Sequence, residues 1–81
     1  MSDQERISIA ILAKATERGP EKSTCPSEIA RQLFPADWRV KMKAVRDAAY
    51  ELQQQGKVKI TQQGRTADPE TVKGPIRIQI S

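Results

Sequence analysis

Hydrophobic residues that recur at intervals of three and four predict three helices. The first helix is predicted over residues 3–18, the second over 26–34 and the third over 38–55. In each segment this spacing places the apolar side chains on one face, which is the pattern of a helix that packs against a core. The third stripe is the most regular, and it consists of Trp38, Met42, Val45, Ala49 and Leu52.

Residues with strong preferences for helix ends support these boundaries. Ser2 and Glu5 fit a capping box, in which each side chain satisfies a free backbone N–H of the first turn. Gly19 suits the left-handed position that ends a helix, and Gly56 is expected to end the third helix. Asp37 is a favourable N-cap for the third helix, because its carboxylate can accept from a free N–H.

The hydrophobic period changes to strict alternation near the C-terminus, which predicts strands. One strand is predicted over residues 57–62 and another over 75–80, and the two are expected to pair as an antiparallel hairpin. Residues 63–74 between them are rich in turn-forming residues and are predicted to form a long wing loop. Within it, Asp68 is expected to cap a local turn.

This order of elements predicts an α+β fold, a winged helix-turn-helix, formed by one domain over residues 1–81. The three-residue turn at 35–37 joins the second and third helices, as in a helix-turn-helix. The third helix is then the candidate recognition helix for the DNA major groove. The same order of elements also occurs in winged-helix modules that bind only protein, so both alternatives stay open.

The composition argues against an enzyme. The chain contains no His and a single Cys, so neither a Cys/His zinc site nor a Ser-His or Cys-His nucleophile pair can be formed within it. No glycine-rich phosphate-binding loop is present. The acidic residues lie where helix caps and solvated faces place them. We therefore expect no catalytic residues, no metal, no cofactor and no small-molecule substrate.

The chain is expected to be a soluble, cytoplasmic protein. Its longest apolar run, residues 9–13, is far shorter than the roughly 20 residues of a membrane span. The polar, acidic N-terminus does not fit a secretory signal. Cys25 has no partner for an internal disulfide, which favours a reducing compartment. At a helix start its thiolate would be favoured, but without a resolving Cys a small cap residue is the preferred interpretation.

The positive charge lies in the C-terminal half of the chain. Residues 1–37 contain five basic and six acidic side chains, for a net charge of −1. Residues 38–81 contain nine basic and four acidic side chains, for a net charge of +5. A basic half of this kind points to an anionic partner.

Polar residues on the third helix form a strip beside its buried stripe. Arg and Lys can neutralise phosphates, Arg can bind guanine, Gln can bind adenine and a Tyr hydroxyl can bind a phosphate. The alternative is an ordinary solvated face with an ion pair between Lys43 and Asp47. The strip consists of Arg39, Lys43, Arg46 and Tyr50, and Gln53 and Gln54 extend it.

Basic residues of the predicted hairpin are candidates for contact with the DNA backbone or minor groove. Arg65 and Lys73 are assigned to the nucleic-acid site, since Arg65 follows a glycine whose N–H can help to hold an anion. Arg77 belongs to the same basic set. For Lys57 and Lys59 the preferred interpretation is protection of an exposed strand edge against aggregation.

Several segments of the chain together resemble the bacterial family known as domain of unknown function 3253. The resemblance extends from about residue 7 to residue 78, and it implies a small bacterial protein of winged-helix type without implying an activity. The segments that match are Gly19-Pro20-Glu21-Lys22-Ser23, Cys25-Pro26-Ser27-Glu28-Ile29-Ala30-Arg31, Asp37-Trp38-Arg39, Val45-Arg46, Gln63-Gly64-Arg65, Asp68-Pro69 and Gly74-Pro75-Ile76-Arg77.

Two hypotheses of function follow. The leading one is a module that binds double-stranded DNA, with the third helix in the major groove and the wing on the backbone. The other is a protein-interaction module of the same fold with no nucleic-acid role, which the modest net charge and the acidic residues Asp47 and Glu51 favour.

Overall fold

The protein has the element order expected from its sequence. The computed structural model describes residues 3–62, 65–66 and 76–81, with the backbone alone at 65 and 66. The predicted α+β winged-helix layout, in which three helices precede a pair of antiparallel strands, is confirmed, and the helix bounds differ from prediction by at most one residue. The elements are α1 (Asp3–Arg18), α2 (Pro26–Leu33), α3 (Trp38–Gln54), β1 (Val58–Gln62), β2 (Arg65–Thr66) and β3 (Arg77–Ile80).

The end of α1 follows the predicted chemistry. Gly19 has a φ of 80°, and its N–H donates to the carbonyl oxygens of Ala15 and Thr16. A residue with a Cβ adopts this left-handed conformation only at a cost, so glycine suits the position. Ser2, the other half of the predicted capping box, lies outside the described residues.

The starts of α2 and α3 rely on backbone contacts. Asp37 occupies the N-cap position of α3, but the predicted capping hydrogen bond of its carboxylate is not formed. Its backbone oxygen instead accepts from the N–H groups of Val40 and Lys41. Cys25 is the N-cap of α2, also without a capping bond from its side chain. The exposed Asp37 carboxylate is therefore left in solvent.

The sheet has the predicted strand pair and one further short strand. β1 pairs antiparallel with β3, from Val58 opposite Ile80 to Thr61 opposite Arg77. β2 lies within the segment predicted as the 63–74 wing loop and pairs with the end of β1, which gives the order β2-β1-β3. A two-residue strand is too short to show alternation, so the sequence pattern did not reveal it. The rest of the predicted loop, including Asp68, lies outside the described residues.

Residues outside the three strands form hydrogen bonds with backbone groups of the sheet. Thr24 forms an isolated antiparallel bridge with Ile78, with N···O distances of 2.8 and 2.7 Å. The N–H of Ile60 donates to Oε1 of Gln53 at 2.9 Å. Lys59 belongs to β1, where it pairs with Gln79 of β3, and Lys57 directly precedes the strand, so the edge-protection interpretation of these two lysines stays a prediction.

The core lies between the three helices and the inner face of the sheet. From the predicted stripe of α3, Val45, Ala49 and Leu52 are buried, whereas Trp38 and Met42 are only partly buried against the core. The stripe therefore holds along most of α3 and opens to solvent at its N-terminal end. The core consists of Ile7, Ala10, Ile11, Ile29, Ala30, Val45, Ala48, Ala49, Leu52, Val58, Ile60, Ile76 and Ile78.

Candidate nucleic-acid interface

The N-terminal half of α3 presents an exposed face that combines basic and small apolar side chains. Val40 is 80% exposed. The side chain of Lys43 is 87% exposed. We call this surface the α3 outer face, and it consists of Arg39, Val40, Lys43, Ala44 and Asp47.

An ion pair lies on the α3 outer face. Nζ of Lys43 is 3.1 Å from Oδ2 of Asp47, one helical turn further along. The predicted pair is thus present, and an exposed pair of this kind contributes at most about 1 kcal/mol to stability. Its main effect is electrostatic, because the carboxylate lowers the positive potential that Lys43 would otherwise produce.

The inner part of the predicted strip is less accessible. Arg46 is half-buried. Tyr50 is half-buried and packs against the core, and its hydroxyl oxygen is buried. The hydroxyl is therefore not on the surface where the predicted phosphate contact would occur. Helical spacing places Tyr50 beside the buried stripe, and packing against the core decides the side to which the ring turns.

Gln53 has a structural contact in place of the surface position that was predicted. Its Oε1 atom accepts from the N–H of Ile60 on β1, so this side chain ties α3 to the sheet. The neighbouring Gln54 is exposed at the end of α3. Of the two glutamines, only Gln54 matches the predicted extension of the strip.

The predicted wing residues are only partly described. Lys73 and the side chain of Arg65 lie outside the described residues. Arg77 is exposed, and its guanidinium donates from Nε to Oγ of Ser23 at 2.8 Å and from one terminal nitrogen to the Ser23 carbonyl oxygen at 3.4 Å. Lys57 and Lys59 are exposed. Arg77 therefore joins β3 to the link between α1 and α2.

Two aromatic residues at the junction of α2 and α3 each lie under two cationic side chains. The guanidinium carbons of Arg31 and Arg39 lie 4.2 and 5.2 Å from the ring centroid of Trp38. We call these three residues the Trp38 stack. Sequence analysis missed Arg31, because it belongs to α2 and no helical spacing on a single element relates it to Arg39.

The second aromatic residue is Phe34. The guanidinium carbon of Arg6 lies 5.5 Å from its ring centroid, and Nζ of Lys41 lies 5.0 Å from it. Asp3 forms ion pairs with both cations, at 3.7 Å to Arg6 and 3.5 Å to Lys41. We call these four residues the Phe34 cluster. The Asp3 carboxylate offsets part of the positive charge of the cluster and connects the start of α1 with the start of α3.

A groove lies between the start of α1 and the end of α3. Ile9 is 53% exposed in this groove, which has a volume of about 490 Å³. The amide of Gln4 donates to Oε2 of Glu51 at 2.6 Å across it. The groove is thus a mixed polar and apolar surface, separate from the α3 outer face.

Two other features, a metal site and a membrane-spanning helix, are absent from the described part of the chain. There, no three His, Cys, Asp or Glu residues are grouped so that they could hold a metal ion. No helix in the same residues has both the length and the apolar character needed to cross a membrane. Cys25 is half-buried, and its Sγ lies 3.0 Å from Oγ of Ser27.

The three helices, the helix-turn-helix and the antiparallel strands define a protein of the winged-helix class. The chain belongs to a family described as protein of unknown function (DUF3253), whose sequence model matches residues 4–81. The comparison with curated proteins finds no match.

Proposed function

We propose that the protein binds double-stranded DNA through α3, with the α3 outer face in the major groove. The observation that supports this most directly is the exposure of Arg39, Val40 and Lys43 on the second helix of a helix-turn-helix. In that motif the N-terminal residues of the second helix contact base edges. The basic side chains at this position already face the solvent from which a duplex would approach.

The chemistry of this face suits a major groove. Arg39 can donate to phosphate oxygens or to guanine, and Lys43 can neutralise a phosphate. Val40 and Ala44 offer small apolar surfaces of the kind that contact the thymine methyl group. Asp47 weakens the positive potential, so we expect weak binding that depends steeply on salt.

The remaining predicted residues contribute to the proposed DNA contact to different degrees. Arg46, predicted as part of the strip, is half-buried and borders the face, so its contribution to this proposal is positive potential. Tyr50 is left out, because its hydroxyl oxygen is buried. Arg65 and Lys73 stay predictions of contact by the wing.

Duplex affinity measured across a salt series tests the proposal. A labelled duplex of mixed sequence would be titrated with the wild type, Lys43→Ala and Lys22→Ala, with fluorescence anisotropy as the readout. Both substitutions remove one positive charge, but Lys22 is an exposed residue of the link between α1 and α2, outside the α3 outer face. We expect Lys43→Ala alone to weaken binding and to reduce the salt slope by about 1.

Two results would contradict the proposal. One is the absence of wild-type binding even at low salt. The other is an equal loss of affinity in Lys43→Ala and Lys22→Ala, which would show that net charge alone matters. Circular dichroism of each variant would confirm that it is folded.

A second candidate function is a protein-interaction module without a nucleic-acid role. The exposed Ile9 in the groove between α1 and α3 is the observation that favours it, since an apolar side chain there could be buried by a partner. The measurable case is association with a second copy. Sedimentation of the wild type and Ile9→Ser would detect it, and self-association lost in Ile9→Ser together with no duplex binding would favour this function.

A further inference from the structure

The two aromatic sites at the junction of α2 and α3 differ in their charge balance. In the Phe34 cluster, the carboxylate of Asp3 pairs with both cations. In the Trp38 stack, no ion pair joins Arg31 or Arg39 to a carboxylate among the residues that the structure describes. Two guanidiniums thus lie close to one indole, and within that part of the chain neither of them is ion-paired.

The indole explains how both guanidiniums are held beside the same side chain. A cation over the face of a tryptophan ring is attracted by the negative face of the ring, and tryptophan is the strongest such partner. Arg31 reaches the ring from α2, whereas Arg39 follows Trp38 directly on α3. The ring offsets part of the repulsion, but it supplies no hydrogen-bond acceptor for the guanidinium N–H groups.

Both arginines are available to an outside ligand. Each is an exposed residue, and a guanidinium that packs against a ring still has planar N–H donors that match the oxygens of a phosphate. Because an aromatic contact restricts the side chain, less conformational freedom is lost when the phosphate binds. The chemistry that completes this arrangement is therefore a phosphate group held by two arginines.

We propose that Arg31 and Arg39, positioned by Trp38, form a phosphate clamp at the corner of the helix-turn-helix. The clamp rests on the proposed function. Its expected ligand is a phosphodiester of the DNA backbone, next to the groove that α3 enters. A free phosphate or pyrophosphate shares the same chemistry. Arg31 and Arg39 bind the phosphate, and Trp38 is a positioning residue.

The first arm of the test uses duplex DNA and a matched arginine control. Arg31→Ala and Arg6→Ala each remove one exposed arginine that contacts an aromatic ring, but Arg6 belongs to the Phe34 cluster, where Asp3 is its partner. We expect Arg31→Ala to lower duplex affinity about tenfold at low salt, as for a charged hydrogen bond. Its salt slope should fall by about 0.9, whereas Arg6→Ala should keep both values.

The second arm uses pyrophosphate and the fluorescence of Trp38, the only tryptophan in the chain. Pyrophosphate would be added at constant ionic strength, with chloride as the reference salt. We expect a saturable change in tryptophan emission in the wild type and in Arg6→Ala, and no change in Arg31→Ala. Chloride should leave the emission unchanged.

Variants at Trp38 test its positioning role without relying on removal of the arginines. Trp38→Leu removes the aromatic face and keeps apolar bulk, whereas Trp38→Phe keeps an aromatic face. We expect Trp38→Leu to lower duplex affinity and Trp38→Phe to restore most of it, with both variants folded by circular dichroism. Equal affinities in the two folded variants would remove Trp38 from the clamp.

Arg31→Lys keeps the charge without the planar donors, so its affinity should lie between the wild type and Arg31→Ala.

The two arms separate the clamp from the proposed function. If the wild type binds duplex DNA but Arg31→Ala and Arg6→Ala bind it equally well, the clamp is wrong and DNA binding stands. If no duplex binds but pyrophosphate changes the emission only when Arg31 is present, DNA binding is wrong and the clamp is a site for free phosphate groups. If pyrophosphate leaves wild-type emission unchanged, or changes it equally in all variants, the clamp is overturned.

Discussion

Replacing Gln53 by alanine separates a structural role of this side chain from a role in DNA contact. Oε1 of Gln53 accepts from the N–H of Ile60 at 2.9 Å, and Ile60 is completely buried. The substitution therefore leaves a buried donor on β1 without its partner. Alanine is at least as favourable as glutamine inside a helix, so the backbone of α3 itself is not weakened.

The magnitude follows from the cost of an unsatisfied buried donor, which is about 1–3 kcal/mol. For a domain of this size each kcal/mol lowers the Tm by about 4–8 °C. Gln54→Ala is the matched control, since Gln54 is the same residue type on the next position and is exposed. A surface substitution of this kind changes stability by no more than about 0.5 kcal/mol.

Thermal unfolding followed by circular dichroism measures the global effect, and hydrogen exchange at the Ile60 amide measures the local one. We expect a lower Tm and faster Ile60 exchange in Gln53→Ala, with neither change in Gln54→Ala. Identical Tm values for the two variants would refute the reasoning. Weaker duplex binding by a folded Gln53→Ala of unchanged Tm would return this residue to the DNA-contact strip.

Two further predictions concern the core and the charge of α3. Leu52→Ala should destabilise the protein by about 2–5 kcal/mol, because Leu52 is buried in the core and its loss leaves a cavity. An unchanged midpoint of unfolding in urea would contradict the orientation of α3. Asp47→Asn should raise duplex affinity at low salt by up to about fivefold, the equivalent of about 1 kcal/mol, since it frees Lys43 from its ion pair. Lower or unchanged affinity would exclude the α3 outer face from the contact, and stability should change by less than about 1 kcal/mol.

Much of the fold could be predicted from local patterns. The stripe along α3 correctly placed Val45, Ala49 and Leu52 in the core, and the alternating isoleucines located β3. These signals are local, because burial of one face imposes a period of 3.6 on a helix and of 2 on a strand. The two-residue β2 was missed, since it is shorter than any period that could reveal it.

The candidate site could be predicted less well. Arg39 and Lys43 lie on the exposed face where spacing placed them. Tyr50 and Gln53, from the same predicted strip, have a buried hydroxyl oxygen and a bond to the sheet. Helical spacing gives the direction in which a side chain leaves the backbone, but the neighbouring elements decide whether a residue at the border of a stripe faces solvent.

The sequence by itself determined the three helices and the two longer strands to within two residues, because turn chemistry and hydrophobic period act over a few residues. Only the tertiary structure decided which charges have partners. Asp3 meets Lys41 across 38 positions of the chain, whereas Arg31 and Arg39 meet on Trp38 through the turn between α2 and α3. Coulomb attraction and aromatic contact act over a few ångströms in space, and the packing of distant segments sets those distances.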